Sequence, residues 1–434
     1  MLSTVLLLAL LLFPFMLRTA SADVSSGTCG DDLVWTFDSD TGVLSIEGSG
    51  DMDDYTYSTE NDTRPWSSYL KKIKTIVIGN GVTSIGSEAF RGCFALASVE
   101  MSNTVTKIHD NAFFFCGALT EVTIPDSVTE IGERAFYGCN ELVNVVISDH
   151  AQSIGKECFY NCESITSVTL PCSVTINDSK TFYPGKRITH IHLTKGTGYM
   201  VDNPGAPWKR AESSDQSVTL DYGIIKICDN AFINLNWLKS LTIPDSVRFI
   251  GEQAFSGFRL TELTIPCSTQ LSTYSITNPG SGRSVHITKG TGVMANCTVD
   301  TCMPWMQCSE IQIDEGITYI GSYAFHDCTN LTEALIPGSV VQIGNGAYSG
   351  CTGLTEINLP AGLKSIGDDA FSGCKNVTVL SIPNQVVYLS GFSACTGLKS
   401  ISIPTSVNEI GVNAFSGCTN LKSVSIPSNV KRID

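Results

Sequence analysis

The sequence has few charged residues and no cluster of basic ones. Charged residues make up 16% of the 434-residue chain, and 42 acidic residues against 27 basic ones give a formal net charge of −15 at pH 7. Phosphate groups are bound by clustered Lys and Arg, so this composition argues against a nucleic-acid partner. The acidity mainly favours solubility. With so little charge, much of the polar surface must consist of Ser, Thr, Asn and Gly.

The sequence also lacks the motifs that carry common catalytic chemistry. It contains no Gly-x-Ser-x-Gly elbow, no His-Glu-x-x-His pair, no Gly-Lys-Ser/Thr phosphate loop and no complete Gly-x-Gly-x-x-Gly. Only His190 and His192 form a close histidine pair, on one face if the segment is a strand. Two ligands alone do not make a closed metal site. We therefore expect a protein that is not an enzyme and has no cofactor or metal.

Only one long apolar run occurs, and it lies at the N-terminus. Val5 to Leu17 is almost wholly apolar and is too short to span a bilayer comfortably. Ala20-Ser21-Ala22 then fits the small-x-small cleavage rule, which predicts a signal peptide at 1–22. Because Met1 to Val5 contains no basic residue, an uncleaved anchor helix is the alternative. We expect a secreted or cell-surface protein with no transmembrane span after cleavage.

What the sequence has in abundance is a 23-residue repeat. Its anchor aromatic recurs in three runs, at Phe90, Phe113, Phe136, Phe159 and Phe182, at Phe232 and Phe255, and at Phe325, Tyr348 and Phe371. In the last run Phe392 comes two residues early, and Phe415 restores the spacing. The clearest unit, Leu119 to Glu141, reads LTEVTIPDSVTEIGERAFYGCNE. Val122 and Ile124 alternate like inward side chains of a short strand, which Pro125 should end. The uneven apolar spacing from Ile131 to Phe136 indicates a short helical or 3₁₀ turn.

A single unit cannot bury both of its faces, so the units must stack. Equivalent side chains then lie about 4.8 Å apart. We predict an α/β repeat solenoid, a right-handed coil of 23-residue units with short parallel strands and a β-rich N-terminal cap. The pattern L-x-x-V-x-I-P-x-S-V-x-x-I-G-x-x-A-F-x-G-C resembles the BspA-type leucine-rich repeat, over roughly residues 74–187, 218–272 and 311–434.

Two segments interrupt the repeats and resemble each other. Ile191 to Met200 reads IHLTKGTGYM and matches Val285 to Met294, VHITKGTGVM; Pro-Trp pairs follow at 207–208 and 304–305. The N-terminal region has the same plan, with a hairpin signature from Leu33 to Ile46. The predicted organisation is a cap at 23–73, repeat blocks at 74–187, 218–272 and 311–434, the last ending within a repeat, and inserted modules at 188–217 and 273–310. One continuous stack is favoured over three blocks joined by linkers.

Seventeen cysteines invite a disulfide interpretation in an exported chain. Nine of them lie three residues after the anchor aromatic, at Cys93, Cys116, Cys139, Cys162, Cys328, Cys351, Cys374, Cys395 and Cys418. We expect unpaired buried thiols there, because side chains in a ladder point the same way and a disulfide needs specific geometry. Cys297, Cys302 and Cys308 cluster in the second inserted module, where a disulfide is a hypothesis.

The outward residues of the strands form the candidate binding face. The predicted binding residues are Glu100, Glu121, Thr123, Thr169, Thr242, Glu262, Thr264, Glu356 and Asn358. They are small or acidic and lack the aromatic and Arg anchors of strong hot spots, so a merely solvated sheet is the competing interpretation.

The family resemblance supplies the functional expectation. BspA-like proteins are associated with attachment to host matrix proteins such as fibronectin and fibrinogen, and with microbial surfaces. The resemblance therefore implies a non-catalytic protein that binds or adheres to host or microbial surface proteins. The alternative is a structural display scaffold for a domain missing from this chain.

Overall fold

The computed structural model describes residues 24–58, 60–184, 188–201, 217–233, 235, 237–257, 260–272, 274–276, 283–298, 308–334 and 336–434. The predicted signal peptide at 1–22 and the Pro-Trp pairs at 207–208 and 304–305 lie outside the described residues. In these ranges, no helix has the length and apolar character that a membrane crossing requires.

The N-terminal cap is an antiparallel meander of three strands, β1 (Val24–Thr28), β2 (Asp32–Asp38) and β3 (Val43–Asp51). The Asp38 carboxylate closes the predicted hairpin turn by accepting hydrogen bonds from the backbone N–H groups of Asp40 and Thr41, at 2.9 and 3.3 Å. A 3₁₀ turn follows at Ser67–Tyr69. Because β3 also runs parallel to the first solenoid strand, the cap continues directly into the stack.

Two buried side chains of the cap close the end of the first repeat. Trp66 takes the anchor position next to Phe90, with ring centroids 5.5 Å apart. The Arg64 guanidinium pairs with Asp62 and donates to the backbone carbonyl of Arg91. Backbone groups that face the cap thus find partners, as buried polar groups must.

The rest of the chain, where the structure describes it, is a parallel β-solenoid of about 14 turns with a spacing of ~23 residues and almost no helix. The predicted leucine-rich-repeat coil is confirmed. Each repeat contributes a front strand and a shorter side strand. The front strands are β4 (Thr75–Ile78), β6 (Ser98–Met101), β8 (Glu121–Thr123), β10 (Asn144–Val146), β12 (Ser167–Pro171), β14 (His190–Thr194), β15 (Ser217–Leu220), β17 (Ser240–Thr242), β19 (Glu262–Pro266), β21 (Arg283–Thr288), β22 (Cys308–Ile313), β24 (Glu333–Ala334), β26 (Glu356–Ile357), β28 (Val379–Ser381) and β30 (Ser400–Ser402). The side strands are β5 (Val82–Ile85), β7 (Lys107–Ile108), β9 (Glu130–Ile131), β11 (Ser153–Ile154), β13 (Thr175–Ile176), β16 (Lys226–Ile227), β18 (Phe249–Ile250), β20 (Gln270–Leu271), β23 (Tyr319–Ile320), β25 (Gln342–Ile343), β27 (Ser365–Ile366), β29 (Tyr388–Leu389), β31 (Glu409–Ile410) and β32 (Arg432–Ile433).

The corner between the side strand and the anchor aromatic is a turn rather than a regular helix. Arg134 has a φ of 54°, in the left-handed region. Its backbone N–H donates to the carbonyl of Lys156 on the next coil at 2.9 Å, and the N–H of Phe136 donates to Cys158 at 2.9 Å. These bonds along the solenoid axis add to bonds within the turn of the predicted 3₁₀ type, such as the one from the backbone N–H of Tyr137 to the carbonyl of Arg134 at 3.1 Å.

The interior consists of ladders of equivalent side chains. Phe113, Phe136 and Phe159 are fully buried, and successive ring centroids lie 5.0 and 5.3 Å apart. The cysteine ladder is buried beside them. Its unpaired thiols, as expected from the sequence, are Cys93, Cys116, Cys139, Cys162, Cys351, Cys374, Cys395 and Cys418. Cys328 is buried in the same ladder.

The described part of each inserted module contributes a front strand to the stack. β14 lies between β12 and β15, and β21 lies between β19 and β22, all with parallel pairing. This pairing favours the continuous stack over blocks joined by linkers. The exact module boundaries remain predictions.

Candidate binding faces

The outward side chains of the front strands form two parallel rows, which we call the front face. β8, β10, β12, β14 and β15 pair in one register. One row is Glu121, Asn144, Ser167, His190 and Ser217, and the other is Thr123, Val146, Thr169, His192 and Thr219. Val122 and Val145, between the rows, are buried and hold the strands against the core. Each side chain of the face therefore has a fixed neighbour on the next coil.

The nine predicted binding residues all lie on or directly beside the front strands. Glu100, Glu121, Thr123, Thr242, Glu262, Glu356 and Asn358 are exposed, whereas Thr169 and Thr264 are half-buried. Thr242 lies directly opposite Thr264, and Thr123 is two strands from Thr169 in one row. Glu100 and Glu356 belong to other ladders, so the nine residues line a long surface and do not converge on one point. Their role in binding remains a prediction.

Sequence reasoning did not identify the aspartates that pair with the histidines of the inserted modules. Nε2 of His192 lies 2.8 Å from Oδ1 of Asp221, and Nε2 of His286 lies 2.7 Å from Oδ1 of Asp314. In both modules the aspartate belongs to the following coil. The matching IHLTKGTG and VHITKGTG segments were the signal that the two modules share a local structure.

The threonine two residues after each histidine reaches in the opposite direction. Oγ1 of Thr288 donates to Oδ1 of Asp245 at 2.7 Å, and Oγ1 of Thr194 donates to Asp149. Both aspartates lie two coils earlier in the stack. Each inserted strand is therefore connected through polar side chains to coils on both sides.

The histidines of the front face are engaged with hydrogen-bonding partners. Nδ1 of His190 lies 2.7 Å from Oγ of Ser217, and the rings of His190 and His192 are 6.2 Å apart. Among the described side chains, no three His, Cys, Asp or Glu residues are close enough to hold a metal ion. The imidazole and hydroxyl groups of the front face can donate and accept hydrogen bonds with a binding partner.

A second outward feature, which we call the aromatic column, runs along the corner in the first repeat block. Phe114, Tyr137, Tyr160 and Tyr183 stack with centroid separations of 4.7, 5.1 and 5.3 Å. The Arg91 guanidinium lies 4.3 Å above the Phe114 ring. Because the rings cover one another, a ligand meets mainly ring edges. The sequence contains the signal, since each of these aromatics directly follows an anchor phenylalanine.

The proposed cysteine cluster is only partly described. Cys297 is half-buried, and its backbone N–H donates to the carbonyl of Ser322 at 2.9 Å. Cys302 and the side chain of Cys308 lie outside the described residues. A disulfide among the three therefore stays a prediction.

Comparison with known families yields one match. A family model described as the BspA type leucine-rich repeat region, of six copies, matches residues 67–196, 211–297, 298–391 and 318–434. The search of curated proteins gave no match.

Several solved structures are similar to this chain. A leucine-rich repeat protein from Bacteroides ovatus is 23% identical and has a TM-score of 0.37, with 92% of this chain and 94% of that chain covered. One from Eubacterium ventriosum is 20% identical with a TM-score of 0.35, covering 93% and 97%. A leucine rich cell surface protein from Faecalibacterium prausnitzii is 25% identical with a TM-score of 0.30, covering 94% and 95%. These TM-scores are low, so the fold assignment rests on the strand register of this chain.

Proposed function

Because the chain belongs to the BspA-type leucine-rich repeat family, we propose that it is a non-catalytic binding protein that acts outside the cell, either secreted or held at the surface. Its partner is a protein of the host extracellular matrix or of a microbial surface. The contact surface is the front face, including the nine residues predicted from the sequence.

The observation that carries this proposal is the common register of the front face from β8 to β15. Five neighbouring strands present two rows of exposed or half-exposed side chains on a rigid backbone. Ser and Thr have few rotamers, so a partner that contacts them loses little side-chain entropy. The face is thus pre-organised for binding.

The chemistry of the face indicates the kind of partner. Its rows contain hydroxyl, amide, imidazole and carboxylate groups, and no Arg, Trp or Tyr in the β8–β15 ladder. Strong single hot spots need such anchors. Binding must therefore rely on many modest contacts, which suits an extended or repetitive partner protein that engages several coils at once.

A binding assay with two matched variants tests the proposal. Immobilised fibronectin, fibrinogen and intact microbial cells are titrated with the full chain at micromolar concentrations. Glu121→Arg/Thr123→Arg changes two exposed front-face residues. Gln152→Arg/Glu163→Arg makes the same change in charge at two exposed residues outside the front face.

We expect the front-face variant to weaken binding at least about tenfold, or ~1.4 kcal/mol, and the control variant to bind like the wild type. The proposal fails if the wild-type chain binds none of these surfaces. Equal binding by both variants would place the contact elsewhere, with the aromatic column as the next surface to test.

A further inference from the structure

Five neighbouring coils of the third repeat block present two acidic residues on one side of an exposed apolar residue and two basic residues on the other side. Glu333 on β24 and Glu356 on β26 are exposed and lie directly opposite each other. Lys399 and Lys422 are exposed in the two coils beyond β28, each just before an outward serine. Val379, on the coil between the two pairs, is 65% exposed. The order along the stack is therefore two acids, one apolar residue and two bases.

The chain does not neutralise these charges. None of the four side chains forms an ion pair within the described part of the chain. The two glutamates instead face each other in neighbouring strands, an arrangement that is unfavourable for like charges. A partner with the inverse order of charge would relieve this repulsion and cover the exposed valine.

A second copy of the same stretch has that inverse order. A two-fold axis along the strand of Val379 reverses the order of the coils in the partner copy. Glu356, one coil before Val379, then faces the position of Ser400, one coil after it, with Lys399 the adjacent residue, and Glu333 comes beside Lys422 in the same way. Self-complementarity of this kind is what a two-fold interface requires, since the same patch serves on both subunits.

The neighbouring side chains permit close approach. The outward residues described around these charges are small or of medium size and exposed, namely Thr332, Thr355, Asn358, Thr378, Ser381, Ser400, Ser402, Ser423 and Ser425. No large side chain among them holds the two faces apart. Flexible lysine side chains can therefore reach the carboxylates across the interface.

We propose that these five coils are a homodimer interface, in which the front faces of two copies pack antiparallel about Val379. Five coils at about 4.8 Å each span roughly 24 Å, which is short for a protein interface. The dimer is accordingly weak, with micromolar affinity, and sensitive to salt because its charges lie at the surface. The β8–β15 part of the front face stays free for the binding function proposed above, and of the nine predicted binding residues only Glu356 and Asn358 lie within the dimer patch.

Charge reversal in each half of the patch tests the pairing by sedimentation velocity. Glu333→Lys/Glu356→Lys gives a patch with four lysines, and Lys399→Glu/Lys422→Glu gives one with four glutamates. Glu121→Lys/Glu262→Lys is the matched control, since it changes two exposed front-face glutamates outside the patch. Val379→Asp, which places a charge on the axis, is a second route to the same result. Circular dichroism verifies that every variant is folded.

The expected pattern is specific to a two-fold interface. Wild type and control dimerise at micromolar concentration in low salt, and each charge-reversed variant and Val379→Asp raise the dissociation constant at least about tenfold. A one-to-one mixture of the two charge-reversed variants dimerises again, because four lysines then face four glutamates. A monomeric wild type, charge-reversed variants that dimerise alone, or a mixture that stays monomeric would each overturn the proposal.

Discussion

Nε2 of His192 lies 2.8 Å from Oδ1 of Asp221, across the boundary between an inserted module and the coil that follows it. His286 and Asp314 repeat this relationship at 2.7 Å in the second module. The same sequence segment has thus produced the same polar connection twice. Since each histidine lies on a front strand, the pairs help to keep the inserted strands in the stack.

Removing either partner of the first pair should destabilise the chain slightly. The side chains of His192 and Asp221 are 28% and 41% exposed, so we expect His192→Ala and Asp221→Ala each to lower the free energy of unfolding by about 0.5–1 kcal/mol. The double variant should lower the free energy of unfolding by less than the sum of the two single losses. Urea unfolding of all four proteins measures this coupling, with His150→Ala as an exposed control. Strictly additive losses would show that the two side chains do not interact.

Removing the hydroxyl group of Tyr348 should make the folded chain more stable. It occupies an anchor position between Phe325 and Phe371, with centroids 5.0 and 5.2 Å away. Its hydroxyl is buried and has no hydrogen-bond partner in the described part of the chain, and burial raises the pKa of this tyrosine well above its usual value. We expect Tyr348→Phe to raise the free energy of unfolding by about 1 kcal/mol.

The reverse change at the next coil is the matched control for Tyr348→Phe. Phe371→Tyr adds a hydroxyl at an equivalent buried position and should lower the free energy of unfolding by about 1–3 kcal/mol. Denaturant midpoints report both changes. A loss of stability in Tyr348→Phe would mean that the hydroxyl has a stabilising partner.

The cysteine ladder should make stability fall at alkaline pH. Burial raises the pKa of the Cys93 thiol from 9.0 to about 12, and that of Cys395 also to about 12. The folded chain therefore holds these protons more tightly than the unfolded chain. Their contribution to stability is complete below pH 9, and it declines as the pH rises from about 9 towards 12.

Chemical unfolding from neutral pH to about pH 11 checks this dependence. The free energy of unfolding should decrease more steeply with pH in the wild type than in Cys93→Ala, which has one buried thiol fewer. The slopes are compared because the alanine substitution also opens a cavity that lowers stability at every pH. Identical slopes in the two proteins would contradict the raised pKa of this thiol.

Arg64 should stabilise the folded chain more than an ordinary surface arginine does. Its side chain is fully buried, and it connects Asp62 to the backbone of the first corner. We expect Arg64→Met to lower the free energy of unfolding by about 3 kcal/mol, because it leaves a partly buried carboxylate and carbonyl groups without their partner. Arg91→Met is the control, since Arg91 is 27% exposed and its ion pair with Glu88 should contribute about 1 kcal/mol or less. Equal losses in the two variants would contradict the role given to Arg64 in the cap.

The repeat could be predicted from the sequence because its apolar residues recur at a fixed spacing. Val122 and Val145 are 23 residues apart and lie directly opposite each other in the ladder. The aromatic column could have been predicted in the same way, since Phe114, Tyr137 and Tyr160 share one repeat position. The fixed period is sufficient to predict a contact wherever both contacting residues belong to regular repeats.

The histidine–aspartate pairs and the corner turn could not be predicted from the 23-residue spacing, because they depend on the three-dimensional path of the chain. His192 and Asp221 are 29 residues apart, because the inserted module lengthens the coil between them. The corner turn gives only a partial signal in residue type, since Asn111, Asn230 and Asn413 favour positive φ but Glu88 and Arg134 adopt it in the same position. Residues other than glycine rarely do so, and here hydrogen bonds to the next coil impose the conformation.

The most direct test of the binding account is hydroxyl-radical footprinting of the full chain, alone and with whichever matrix or microbial surface protein it binds. The labelling of His190 and His192, on the front face, is compared with that of Tyr137 and Tyr160, in the aromatic column. Contact through the front face predicts that the partner protects the two histidines and leaves the two tyrosines unchanged. Protection of the tyrosines with unchanged histidines would contradict it.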